Sequence, residues 1–192
     1  MCDIRCVGLD SSEPAIRFGL GSGLLDGGIA RNFEVEGALP TEEDRSWFRS
    51  CNLLICTGAI GYVSDRTLDI VLQDLGKDHP SDFGPCAVFT ILRMFDTEPV
   101  EAVFEKHGFA MSAVPGARLP QRKFEDARER EQVLTLLHER GIDTGSWEEQ
   151  GRHYADLYVA ARPEHSQELL DCACATSAEY ADDSMLAGYI RR

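Results

Sequence analysis

The chain has 192 residues, enough for one domain with a sizeable core and short for two. Its 19 basic and 33 acidic side chains leave a net charge of −14, a field that repels phosphate backbones and argues against nucleic-acid partners. No apolar run reaches the length of a membrane span, and the start, Met1-Cys2-Asp3-Ile4-Arg5-Cys6, lacks the basic-then-apolar pattern of a secretory signal. A cytoplasmic protein without a membrane partner is expected.

A strand over 4–9, closed by Asp10, opens the chain in order. Ser11 or Ser12 is placed to cap a helix that enters through Glu13-Pro14, proline being suited to a first turn, and that runs towards Leu25. Asp26-Gly27-Gly28 stops it, and a second strand is expected over 29–34. Thr41, with acids following, predicts a helix over 41–49. The nearly all-apolar run Asn52-Leu53-Leu54-Ile55-Cys56-Thr57 has the pattern of a strand covered on both faces.

After Gly58 and Gly61, Ser64-Asp65 starts a helix with Leu68, Val71, Leu72 and Leu75 on one face. A turn at 80–84 leads to a second doubly covered strand, 86–92. Val100, Val103, Phe104 and His107 repeat the helical spacing, with His107 read as packing and Gly108 as the stop. A short strand over 109–114, a charged helix over 124–140 and a last strand over 153–161 follow. The expected organisation is one domain over 1–162 and a C-terminal tail, 163–192, with helical spacing around 167–175.

Cys6, Cys56 and Cys86 fall in apolar runs, where a reduced thiol packs as a small hydrophobe. Cys172-Ala173-Cys174 lacks the partner ligands that a metal needs, so none is expected.

Strands alternating with helices indicate an α/β fold around a mostly parallel sheet with helices on both faces. In such sheets ligands sit beyond the carboxyl ends of the strands, which directs attention to Asp10, Asn32, Thr57-Gly58 and Arg93.

The ordered series resembles the class I S-adenosylmethionine-dependent methyltransferases from their second strand onward, over residues 4–161. Gly8-Leu9-Asp10-Ser11-Ser12-Glu13-Pro14-Ala15 is similar to the family's second strand and helix, where an acid accepts from both ribose hydroxyls of the cofactor. The resemblance implies that Asp10 and Ser11 meet the ribose and that Asn32, or failing it Glu34, meets the adenine amino group. It makes Ile55-Cys56-Thr57-Gly58-Ala59-Ile60-Gly61-Tyr62-Val63 the turn beside the sulfonium, with Thr57 and Gly58 binding cofactor and Tyr62 next to the substrate.

The family's first strand ends in a glycine-rich turn whose bare backbone lies against the cofactor. Only three residues precede Ile4, so that unit is expected to be absent and the chain reads as a truncated Rossmann-like fold. Gly19-Leu20-Gly21-Ser22-Gly23 spells a similar motif, but Asp26-Gly27-Gly28 would break the helix that must follow it, so a glycine-loosened helix end is expected instead.

Tyr62 either lines a substrate pocket or packs beneath a loop. Arg93 either holds an anionic substrate or, as buried arginines more often do, pairs with an acid. His153, at the start of the last strand, is either a general base or, as histidines more often are, a surface or capping residue.

Two functions follow from the resemblance. One is a subunit of a small-molecule methyltransferase that needs a partner or a homo-oligomer to complete the pocket for S-adenosylmethionine. The other is a fold that does not methylate, acting as a scaffold, a regulator, a ligand binder or a catalyst of another reaction. A central strand edge left open would favour association in either case.

Overall fold

The computed structural model describes residues 4–78, 84–145 and 147–182, with side chains as far as residue 177. The turn expected at 80–84 lies, except for Gly84, outside the described residues. The chain divides into two compact units, 1–53 with 63–85 and 54–62 with 86–192.

The first unit is built on β1 (Val7–Asp10), α1 (Glu13–Gly21) and β2 (Gly27–Ala30), with α2 (Glu42–Ser50) and α3 (Asp65–Leu72). β1 and β2 pair in parallel, Val7 opposite Gly27 through Asp10 opposite Ala30, with α1 as the crossover. Ser12 caps α1 by accepting from the Ala15 N–H, and a proline fills the first turn.

Gly19 lies close against Leu25: a Cβ there would stand 2.6 Å from Leu25 Cδ1, so that side chain would have to shift. The Gly-x-Gly-x-Gly string is therefore the end of α1 and its turn. α2 opens with a full capping box, Thr41 and Asp44 each accepting from the other's backbone N–H. Ile16, Ile29, Phe33, Phe48, Leu68 and Val71 are among the side chains that fill this core, Phe33 and Phe48 edge to face at 6.3 Å.

The second unit carries the larger sheet. Its elements are β3 (Leu53–Cys56), β4 (Cys86–Leu92), α4 (Glu98–Lys106), β5 (Ala110–Lys123), α5 (Ala127–Glu139), a 3-10 turn (Glu148–Gln150), β6 (Arg152–Ala161) and α6 (Pro163–Asp182). The strand order is β3-β4-β6-β5, so the last strand is inserted between two earlier ones. β6 runs antiparallel to both, Cys86 opposite Ala161 on one side and Ala110 opposite Ala161 on the other. α6 packs on β5 and β6.

The fold is thus α/β, as expected, but its strands form two sheets, and the larger one is not all parallel. The run 52–57 is not covered on both faces. β3 is an edge strand, and one of its faces is open, with Leu53 45% and Ile55 64% exposed. β5 runs nine residues past its expected end, to Lys123, with a register shift between Ala113 and Arg118 that accommodates Pro115-Gly116. Cys6, expected to pack in a strand, is exposed ahead of β1. No helix among the described residues is long and apolar enough to cross a membrane.

Candidate functional site

In the first unit, Asp10 ends β1 and Asn32 lies two residues beyond β2, so parallel pairing brings both to the same, carboxyl, end. The Arg31 N–H donates to the Asp10 carbonyl at 3.0 Å, continuing the ladder past β2. Asp10, Ser11 and Asn32 are all exposed. Each of the two polar side chains folds back on its own turn: Asp10 Oδ1 accepts from the Ser12 N–H at 2.7 Å, and Asn32 Oδ1 from the Glu34 N–H at 2.9 Å. These Asx turns fix where the side chains stand.

Asn32 lines a hollow of about 310 Å³ together with Ala30, Arg31, Phe33, Ala38 and Leu39; Asp10 and Ser11 are not part of its lining. That volume is at the small end for a ligand pocket. Arg31, on its rim, is held by Asp44 at 2.7 Å.

Glu34 has a different task. Its carboxylate accepts from the Ser64 N–H at 2.9 Å and from the hydroxyls of Ser64 and Thr67, tying the connection after β2 to the start of α3. Burial would raise its pKa, but these donors outweigh it and hold the carboxyl below its ordinary value. It is committed to the fold and is not open to a ligand.

In the second unit, Thr57 and Gly58 leave β3 in a tight turn. Gly58 has φ +69°, and its N–H donates to the buried Thr90 hydroxyl of β4 at 2.9 Å. Gly61 has φ +117°, and a Cβ on it would stand 2.4 Å from the Phe95 ring. Both positions require glycine. Tyr62, next along, is 87% exposed, so it neither packs beneath a loop nor lines an enclosed pocket.

Arg93, directly after β4, is buried and fully engaged. Its Nη1 lies 2.6 Å from Glu148 Oε2, its Nη2 donates to the Asp143 carbonyl at 2.8 Å, and its Nε is 3.9 Å from Asp156. It ties Asp143 and Glu148 to the end of β4 and is not available to an anionic substrate. Arg118 pairs with Asp156 at 3.2 Å and stands over the Trp147 ring at 5.0 Å, extending the network outward. The sequence reading missed Glu148, which lies 55 residues from its partner in a stretch with no apolar periodicity.

His153, the second residue of β6, is likewise inside, 4% exposed, and faces Glu129. Burial pushes its imidazole below the ordinary value, against the opposite pull of Glu129. A general base must reach substrate, and this ring has no open face to do so.

A larger hollow, about 480 Å³, runs along α5, but all six of its lining residues, Arg128 to Glu139, come from that one helix, which makes it surface relief. Among the described residues no group of three or more His, Cys, Asp or Glu side chains is placed to hold a metal ion. Comparison with models of protein families and with curated proteins found no match to this chain.

Proposed function

We propose that residues 4–161 form the part of a class I S-adenosylmethionine-dependent methyltransferase fold that starts at its second strand, and that the protein is a methyltransferase-like subunit directed at a small molecule. One observation carries the reading: Asp10 and Asn32 stand exposed at the carboxyl ends of neighbouring parallel strands, and Asn32 lines a hollow of about 310 Å³. The carboxylate suits two vicinal hydroxyls, and the amide, which both donates and accepts, suits an adenine edge. β6 adds support, since the family's last strand is also antiparallel.

The residues fit the adenosine end of the cofactor and supply no cradle for its charged amino-acid end. Among the described residues no glycine-rich strand-turn pairs with β1, whose sheet neighbour is β2 alone. The 192-residue chain therefore binds S-adenosylmethionine weakly, through its adenosine portion, and does not turn over without that unit. Chemical-shift mapping tests this: millimolar S-adenosylmethionine should perturb residues 10–12 and 30–33. Shifts spread evenly over the chain, or none, would favour the reading in which the fold does not methylate.

Among the described residues one edge of β1 and one of β3 have no strand partner, and Leu53 and Ile55 are exposed on the latter, which supports association with a second copy or another protein. Light scattering at micromolar concentration should report a dimer or larger. A stable 21.3 kDa monomer would remove the proposal.

A further inference from the structure

The hollow of about 310 Å³ after β2 has two polar side chains in its lining, Arg31 and Asn32, and no acid, although the chain carries 33 of them. Arg31 is set in place by a buried carboxylate. Its Nε lies 2.7 Å from Asp44 Oδ2, and Asp44, in the first turn of α2, has a side chain only 8% exposed. The same oxygen accepts from the Thr41 N–H at 2.7 Å. Among the described residues no acceptor engages Nη1 or Nη2 of Arg31, whose side chain is 44% exposed. Asn32 is held as well. Its Oδ1 accepts from the Glu34 N–H, which fixes the amide and leaves its NH₂ group to donate.

We propose that this hollow binds a small oxyanion, a phosphate or carboxylate group carried by a small molecule, with the Nη fork of Arg31 as the main contact and the Asn32 amide as a second donor. A guanidinium has several N–H donors and no acceptor, and its planar fork matches two oxygens of one such group. Asp44 orients the fork without cancelling it, because the Thr41 N–H and the positive end of α2 already offset part of the carboxylate charge. The net charge of −14 opposes an anion at long range. At physiological salt that field is screened beyond about 8 Å, so the groups in direct contact decide.

The site goes beyond the adenosine reading and does not depend on it. Asp10 meets Arg31 through the backbone ladder, but its carboxylate turns to the Ser12 N–H and is not part of the lining.

Amide-resolved titration of the full chain with inorganic phosphate, with acetate and with uncharged adenosine, at constant ionic strength, tests the proposal. Phosphate or acetate should shift residues 30–33 and 38–39 saturably, with a dissociation constant on the order of 10 mM, as one charged fork at a half-open site allows. The tighter of the two identifies the group that the hollow prefers. Arg31→Lys keeps a cation beside Asp44 and loses the fork, so α2 should stay folded while affinity falls several-fold. Arg31→Gln should abolish binding. Shifts that stay linear in anion concentration, or unchanged affinity in Arg31→Gln, overturn the proposal. Adenosine reports separately, at residues 10–12. Saturation by adenosine with none by either anion removes the oxyanion site and keeps the adenosine reading, and the reverse result does the opposite.

Discussion

Arg93→Ala should destabilise the protein by about 3–5 kcal/mol, the cost of leaving one member of a buried ion pair without its partner. The side chains of Arg93 and Glu148 are 4% and 2% exposed, and their bond is 2.6 Å long. Removing the guanidinium strands the carboxylate of Glu148 and also the Asp143 carbonyl that accepts from Nη2. Burial already pushes the Glu148 carboxyl above its ordinary value, against the opposing effects of its own backbone N–H and of Arg93, so loss of the cation should drive it to take up a proton. The double variant Arg93→Met with Glu148→Leu removes both charges together and should recover most of the loss. Urea unfolding of the three proteins is the check, and a single-variant loss under about 1 kcal/mol would show the pair to be solvated.

Phe104→Ala is expected to cost a similar amount, about 3–5 kcal/mol, for an unrelated reason. Phe104 is fully buried on α4, stacked on Phe89 of β4 at 5.0 Å and edge-to-face with Phe109 at 6.0 Å. Phe89 in turn stacks on Tyr158 of β6 at 5.8 Å, so one ring links a helix to two strands. Truncation removes transfer energy and leaves a cavity between rigid rings that cannot collapse to fill it. Phe104→Leu should keep more than half of the stability. Equal losses for alanine and leucine would mean that ring stacking, and not filled volume, dominates.

How far the sequence could be read depended on how local each determinant is. The caps at Ser12 and Thr41 lie within three residues of the N–H groups they satisfy, so both helix starts were legible. The spacing of Leu68, Val71, Leu72 and Leu75 placed α3 and its buried face for the same reason.

The open face of β3 was not legible, because its apolar run fits a strand covered on both faces, and only what packs against the sheet decides the matter. The extension of β5 through Pro115-Gly116 and Pro120 reads as a loop until β6 supplies a partner across a register shift. The strand-end rule pointed to Asp10 and Asn32, and parallel pairing puts both at the carboxyl end of their sheet. It did not foresee the acid that engages Arg93, Glu148, 55 residues away, and nothing local to His153, which the rule did not select, announces Glu129, 24 residues away.

The central claim, an adenosine site at the end of β1 and β2, is tested most directly by calorimetric titration of S-adenosylmethionine into the chain and into Asp10→Ala. On the proposed reading the ligand is only partly enclosed and stays partly hydrated, and a dissociation constant of about 0.1 mM or weaker is expected. Losing a charged acceptor from the ribose should weaken binding by a further ten- to a hundredfold, about 1.5–3 kcal/mol. Low-micromolar affinity for the unmodified chain, or equal affinity for Asp10→Ala, would contradict the account.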